Sequence, residues 1–398
     1  MAEHGNMRPP GHLDPNRLPE IAADVAEIPD LQQVLLERHP DLKMADRVAH
    51  QYQIAGSPVE LCLDQSLPAE LDGVGLFLPG TRHCGVGRVS TGLGCPHAES
   101  NPDFLGLMLA FRTAAGARVD FLAINDPAAP ADNHRAFVAV LHAAAQSTGA
   151  QLPFSGALGD TRGAHLVAEQ GVFVRALTAR VGPLKAAAMY AHVVKQTLHV
   201  VHSSTAWQSY WTGVVEAGGV LGKFTLVPEI DDNHAPGLHP PEYHLSRDWH
   251  RRQAQADIDF RLYWIAYLNE ELTPLVELGR PWQEAHRQSV GLVRFPRRDA
   301  ADAQTALWEA LAAEMGANPG NWVRNKDDSL HLAATEFEAA RVLAYRASQQ
   351  GRAAIDPALY ASVFENGQIG DDLAAQLQRR RADKLAAGHV DCAPRVEG

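Results

Sequence analysis

Apolar and polar positions divide the chain into strand-like and helix-like stretches. Residues 1–20 carry four prolines and few apolar side chains, which predicts an extended arm. Residues 21–38 place apolar side chains at helical spacing, with Pro29 as a break. From Val59 to about Pro127, short apolar runs are separated by Gly, Pro and Asp, which predicts β-strands with turns. These runs are VELCL, GVGLFL, GVGRVS and VDFLAI.

Helical spacing then alternates with further strands. It predicts a helix over residues 134–148 and a longer helical stretch over 163–201, broken near Gly182 and Pro183. Strands are predicted around 207–215, 220–227, 258–267 and 290–294, and three helices in TALWEALAAEMG, EFEAARVLAYRASQQGR and DDLAAQLQRRRADKLAA. This order favours an α+β protein built on one antiparallel sheet or barrel. We divide the chain into an arm with a short helix (1–42), a barrel with inserted helices (43–298) and a C-terminal helical region (299–398).

Composition narrows the functional classes. The 398 residues include 47 acids and 35 bases, a net charge of −12, so nucleic acid and anionic membranes are poor partners. No stretch approaches the roughly 18 apolar residues of a membrane span, and no apolar segment near residue 1 predicts a secretory signal. The four cysteines lack CxxC spacing, which disfavours a disulfide framework or a cysteine zinc site and favours a cytoplasmic location.

One predicted helix has a set of side chains on one face that suits a metal ligand site. In EFEAARVLAYRASQQGR, the side chains of Arg341, Tyr345, Ser348 and Arg352 fall on one helical face. A guanidinium one turn from a phenol stabilises the phenolate form. A phenolate is a hard anionic ligand suited to ferric iron, and tyrosine is one of the axial ligands of haem. The same pattern is also typical of a solvated surface face, so this helix alone leaves both interpretations open.

Four motifs in chain order resemble the haem-catalase superfamily, over about Lys43 to Arg352. RVAHQYQIAG resembles its R-x-x-H segment, which carries the distal histidine. LPAELDGVGLFLPGTRHCGVGRVSTG resembles the strand pair that ends in R-F-S-T, and VDFLAINDP resembles the strand that delivers a distal asparagine. RVLAYRASQQGR is similar to the R-x-x-x-Y haem-ligand helix. The resemblance implies a catalase-like α+β fold, with an antiparallel β-barrel core, an N-terminal arm and C-terminal helices.

The resemblance also implies roles for single residues. His50 would be the distal acid–base, supported by a hydrogen bond from Ser90. Tyr345 would be the proximal ligand of a ferric haem b, with Arg341 as partner of its phenolate. The other implied cofactor contacts are three arginines for the haem propionates, Arg47, Arg88 and Arg352, and an aromatic ring stacked over the haem, Phe137.

The chain departs from the family pattern at several positions. Where the family has two adjacent asparagines, this sequence has Ile124 and Asn125, so Asn125 serves as the distal amide only if the register shifts or the loop bends. The segment 127–130, PAAP, replaces bulky residues by small ones, which predicts a roomier distal pocket. Ala49 lacks the hydroxyl group found in allene-oxide-forming relatives. Arg346 and Ala347 follow the tyrosine in place of the Pro-Asp of typical catalases.

These residues predict a haem-dependent, peroxide-processing oxidoreductase with weak catalase activity. Its partners would be a peroxide and a small organic substrate, and a homo-oligomer is compatible with the pattern. A fatty-acid hydroperoxide lyase or isomerase stays open, as does a haem-binding protein without turnover. A non-haem metal enzyme would need His199 and His202, or His239, His244 and His250, but neither set has the HExxH spacing. The segments GVGLFLPG and GVGRVSTG precede no helix start, which disfavours nucleotide binding.

Overall fold

A closed antiparallel barrel forms the centre of the molecule. The computed structural model describes residues 13–38, 47–92, 99, 103–129, 131–147, 162–200, 204–229, 244–326, 335–350 and 355–386. Eight of the strands in this part of the chain pair in the order β5-β4-β3-β2-β1-β9-β8-β7, and pairing of β5 with β7 closes the barrel. The short β6 pairs with β7 outside this ring. The strands are β1 (Gln53–Leu63), β2 (Arg82–Thr91), β3 (Leu105–Arg112), β4 (Arg118–Ile124), β5 (Tyr210–Thr212), β6 (Val215–Ala217), β7 (Val220–Pro228), β8 (Ile258–Ala266) and β9 (Gln288–Phe295).

Helices surround the barrel and connect its strands. Among the described residues, the N-terminal pair precedes β1, a group of three lies between β4 and β5, one helix lies between β7 and β8, and the last four follow β9. The helices are α1 (Leu18–Asp24), α2 (Ile28–Arg38), α3 (His134–Ser147), α4 (Arg162–Val181), α5 (Pro183–Val200), α6 (His244–Gln255), α7 (Ala303–Glu314), α8 (Glu336–Gln349), α9 (Ala361–Asn366) and α10 (Asp371–Ala386). In the described residues, no helix is both long and apolar enough to cross a membrane.

Aromatic side chains fill the barrel. Phe224 is fully buried and stacks on Phe77 at 5.4 Å, while its ring lies 4.8 Å from Trp264. Phe121 and Trp322 meet edge to face at 5.5 Å. In the described residues the barrel interior is thus packed with aromatic rings.

Two further apolar clusters hold the outer helices, one among the helices themselves and one between helices and barrel. Helix α8 packs its small residues Ala340 and Ala344 against Ile28 and Leu31 of the N-terminal helix pair. Helices α7, α9 and α10 pack on β2 and β3, where Val86 lies in the contact. Helix α8 is thus fixed along one side, and its other side is left to face the barrel.

The fold confirms the predicted α+β class and most predicted elements, but three details differ. GVGLFL is not a strand, because Gly73 and Gly75 have positive φ, and its Leu76 and Phe77 instead fill the barrel core. The break predicted at Pro29 lies just before it, at residues 25–27 between α1 and α2, and Pro29 is the second residue of α2. Residues 1–20 were predicted as an extended arm, but of these the structure describes residues 13–20, and they are helical from Pro15 onward. Prolines are tolerated in the first turn of a helix.

Replacing Phe224 by alanine tests the importance of the aromatic barrel core. We expect the free energy of unfolding to fall by about 3–5 kcal/mol, because a fully buried ring is removed and its four aromatic neighbours cannot refill the space. Chemical denaturation of the full chain measures this change. Leu184→Ala is the control, because Leu184 is 88% exposed and its truncation should change stability by less than about 0.5 kcal/mol. Equal effects of the two substitutions would contradict the assigned core.

Candidate functional site

A large cavity lies between the outer face of the barrel and helices α3 and α8. It encloses about 1390 Å³ when its open mouth is counted. The barrel contributes two rows of cross-strand neighbours, Ser90, Gly106 and Ile124 in one row and Arg88, Met108 and Leu122 in the next. The segment before β1 adds His50, and α8 adds Tyr345. Residues from the first and the last of the four motifs, His50 and Tyr345, therefore line one cavity.

His50 is held in an unusual backbone conformation at the cavity wall. Its φ is +56°, and no other non-glycine residue in the described part of the chain has a positive φ. Such a conformation costs a non-glycine residue of order 1–3 kcal/mol and is typical of functional sites. Two backbone hydrogen bonds hold it: the His50 N–H donates to the carbonyl of Gly92 at 2.9 Å, and its carbonyl accepts from Arg88 at 2.8 Å.

The imidazole of His50 rests on Gly106 beside Ser90. Its Nδ1 lies 3.2 Å from Ser90 Oγ, which is the contact expected from the sequence. A Cβ on Gly106 would stand 2.4 Å from the same Nδ1, so only glycine admits the ring at this place. Sequence analysis missed Gly106; a glycine in the centre of the apolar strand LGLMLAFR was the available signal.

The charge state of His50 follows from its burial. Burial lowers the pKa of His50 to about 4; the nearby Asp103 carboxyl opposes this effect, and the charges of Arg88 and Arg341 add to it. The ring is therefore neutral at pH 7 and can accept a proton. A neutral, positioned imidazole is the form that a general base requires.

Two predicted arginines border the cavity beside His50. The Arg47 guanidinium donates to the carbonyls of Ala313 and Met315 at 2.8 and 3.3 Å, just past the end of α7. Arg88 is buried and donates to Gln53 Oε1 at 3.0 Å as well as to the His50 carbonyl. Both side chains bring positive charge to the cavity, which suits a ligand with carboxylate groups.

Helix α8 contributes the Tyr345 phenol to the cavity lining. Arg341 hydrogen-bonds to Tyr345 and to Glu338, whose Oε2 lies 2.9 Å from Arg341 Nη1. Although burial opposes its charge, the Glu338 carboxylate raises the pKa of Arg341, so the guanidinium stays protonated. Glu338, one turn before Arg341 on the same face, was missed by the sequence analysis. Its spacing of three residues was the available signal.

A second buried cation, Lys223, lines the same cavity as Arg341 and Glu338, and the sequence analysis did not identify it. Lys223 of β7 lies with its Nζ 4.8 Å above the ring of Trp282. Burial lowers the pKa of Lys223 to about 8, while Glu338 and Asp126 oppose this effect. A lysine inside the apolar strand VLGKFTLV was its signal in the sequence.

The remaining predicted residues divide between the cavity and its surroundings. Phe137 lines the cavity and meets Phe337 edge to face at 5.6 Å. Ala128 and Ala129 also line it, as their small size suggested. Asn125 does not line it, because its side chain accepts from the Leu105 N–H at 2.7 Å and donates to Gln208 at 3.4 Å. Ile124 occupies the wall position instead, so the register does not shift to bring the amide in.

The sequence also named Arg352 for a haem propionate and, as a disfavoured alternative, two sets of histidines. Arg352, His202 and His239 fall outside the described residues. His250 cannot ligate a metal freely, because Ser246 and Glu309 engage both of its ring nitrogens. The one cluster with metal-ligand spacing in the described ranges is Glu20, Asp24 and His134, whose two carboxylates already accept hydrogen bonds from Arg135.

Comparison with solved structures identifies the fold. The chain is similar to a fungal catalase (TM-score 0.57, 15% identity, 80% of this chain and 60% of that one). It is also similar to catalase A of Saccharomyces cerevisiae (0.57, 14%, 77% and 61%) and to a bacterial catalase (0.55, 16%, 92% and 66%). The chain thus spans about three fifths to two thirds of the length of these proteins. No family model and no curated protein matches the sequence. The predicted catalase-like fold is confirmed.

The burial of His50 predicts a pH dependence of stability. A histidine with a lowered pKa is neutral in the folded state, so the unfolded state binds more protons between about pH 4 and pH 6.5. His50 therefore contributes no penalty above pH 6.5 and an increasing penalty as the pH falls toward 4. We expect the stability of the wild type, relative to His50→Gln, to fall by about 2–3 kcal/mol from pH 7 to pH 4.5.

Denaturant titrations of both proteins at the two pH values measure this difference. His286→Gln is the control, because His286 is exposed and lies outside the cavity lining. A constant difference between wild type and His50→Gln at both pH values would show that His50 titrates normally.

Proposed function

We propose that this chain, which has the catalase fold, binds haem b in the cavity and processes peroxides. The observation that carries the proposal is the meeting of His50 and Ser90 from the barrel side with Arg341 and Tyr345 from α8 around one cavity. The donor set fits the cofactor. A phenol beside a guanidinium suits ferric iron, and Arg47 and Arg88 suit two carboxylates. Phe137 and Leu141 supply the apolar wall that a porphyrin needs.

Each residue then has a defined task. Tyr345 would hold the iron through its phenolate oxygen, and Arg341 would keep that oxygen anionic. A ferric haem held in this way supplies oxidising chemistry toward peroxides rather than reversible dioxygen binding. Glu338 holds Arg341 in place through two contacts, at 2.9 and 3.2 Å.

His50 would move the proton on the other side of the cavity. Its neutral ring accepts a proton from the peroxide and returns it to the departing oxygen. Ser90 and Gly106 fix the ring plane for this transfer. Because the Asn125 side chain lies outside the cavity, it does not assist His50, and we propose weak catalase activity.

The small residues Ala128 and Ala129 support a second candidate, the cleavage or rearrangement of fatty-acid hydroperoxides. Two alanines leave space for a substrate larger than hydrogen peroxide. The two functions differ in their products: a peroxidase yields an alcohol and an oxidised reductant, whereas a lyase or isomerase yields fragments or a rearranged oxide without any reductant.

The proximal assignment predicts a spectroscopic loss. Tyr345→Phe should retain haem poorly and should lose the phenolate charge-transfer band of the loaded wild type, because the anionic oxygen is removed. Absorption spectra of the full chain after haem loading measure both effects. Tyr263→Phe on β8 is the matched control, since its phenol is outside the cavity lining. A normal charge-transfer band in Tyr345→Phe would place the ligand elsewhere, and no Soret band in the wild type would end the haem proposal.

The distal assignment predicts a kinetic loss. His50→Ala should slow peroxide cleavage by about two to four decades, the usual contribution of a positioned acid–base, and should leave the haem bound. Stopped-flow measurements with hydrogen peroxide and cumene hydroperoxide test this, with His83→Ala as control. Equal rates for His50→Ala and the wild type would remove His50 from the mechanism. A wild type that consumes hydrogen peroxide rapidly and ignores cumene hydroperoxide would contradict the open pocket.

A further inference from the structure

A chain of buried polar side chains leads away from His50 to helices α6 and α7. Arg88 connects the His50 carbonyl with Gln53 Oε1, through contacts of 2.8 and 3.0 Å. Gln53 Nε2 donates to Glu309 Oε2 at 2.6 Å, and Glu309 Oε1 lies 2.8 Å from His250 Nε2. Arg88, Gln53, Glu309 and His250 are each less than 10% exposed. We call these four side chains the buried relay.

The hydrogen-bond partners of the relay determine which of its atoms carry protons. His250 Nδ1 contacts the Ser246 carbonyl at 2.7 Å, and its Nε2 contacts the Glu309 carboxylate, so both nitrogens face acceptors. Although burial opposes the charge, the hydrogen bond with Glu309 raises the pKa of His250. Because both of its ring nitrogens face acceptors, we assign His250 as the cation of a buried ion pair with Glu309.

The ion pair fixes the amide of Gln53. Because Glu309 accepts at both its carboxylate and its backbone carbonyl, the Gln53 amide nitrogen must point toward it. The amide oxygen is then forced toward Arg88 Nε. A reversed amide would place a donor against the guanidinium, so Glu309 determines whether Arg88 is held near His50.

Close packing makes the relay rigid where β1 crosses α7. A Cβ on Gly56 would lie 2.6 Å from Ala312 Cβ and 3.0 Å from Gln53 Nε2. The strand and the helix thus approach as closely as a glycine permits, and Gln53 and Glu309 meet beside this contact.

We propose that Glu309 and His250 are positioning residues for His50. They orient Gln53 and Arg88, and Arg88 keeps the His50 backbone in its left-handed conformation so that the ring rests on Gly106. This inference depends on the proposed function for the kinetic role of His50, whereas the placement of the ring can be tested without cofactor. Neither residue lines the cavity, and the hydrogen bonds that connect them with His50 run through Gln53 and Arg88.

The substitution Glu309→Gln tests the proposal on the full chain. It keeps the size of the side chain and removes the carboxylate that orients Gln53. Glu314→Gln is the matched control, because Glu314 is a mostly buried carboxylate on the same helix that pairs with Arg380 and Lys384 instead. The first measurement is the ¹⁵N signal of the His50 ring in the haem-free chain, assigned through its loss in His50→Gln. The second is the peroxide rate of the loaded protein.

We expect Glu309→Gln to shift the His50 ring signals and to lower the peroxide rate by about tenfold or more, with an unchanged Tyr345 charge-transfer band. Glu314→Gln should leave all three as in the wild type. Unchanged His50 signals in Glu309→Gln, or equal shifts in both variants, would overturn the proposal. If Glu309→Gln does not fold, Gln53→Met removes the centre of the relay while the ion pair stays, and the same shift is required. If the wild type consumes no peroxide, the proposed function fails, and the ring signals alone decide the role of the relay.

Discussion

The left-handed backbone of His50 is the constraint around which the cavity is built. A histidine adopts positive φ only when its surroundings hold it there, and here they do so from three directions. Gly92 and Arg88 bind its backbone, Ser90 contacts its ring, and Gly106 leaves the space that the ring fills. Because these residues come from strands β2 and β3 and their loops, the barrel register decides where the imidazole stands.

Buried charge is the second organising feature of the site. Arg88, Lys223 and Arg341 bring positive charge to one largely apolar cavity, and Glu338 and Asp126 offset part of it. Ion pairs that are out of water require well-placed partners, and Glu338 is placed by the N-terminal turn of α8, where Thr335 caps the helix. The cations favour anionic groups in the cavity, which is consistent with a phenolate and with a carboxylate-bearing cofactor.

Local pattern predicted much of the fold, and the family resemblance named most of the polar residues that meet at the cavity. The face of α8 with Arg341 and Tyr345 follows from helical periodicity, and the strand that carries Arg88 and Ser90 follows from apolar runs between glycines. Helix α6 was missed because its sequence HLSRDWHRRQAQ is polar, although His250 and Asp248 are buried. Their burial depends on partners such as Glu309, which are distant in sequence and invisible to periodicity. Closure of the barrel through β5 and β7, and the need for glycine at position 106, are likewise set by distant contacts.

The central claim is that one haem lies between Tyr345 and His50. A crystal structure of the haem-loaded full chain tests it most directly. The account predicts the iron bonded to the Tyr345 phenolate oxygen, the His50 ring over the other face, and the propionates beside Arg47 and Arg88. Iron bonded to any other side chain, or a haem outside this cavity, would contradict it.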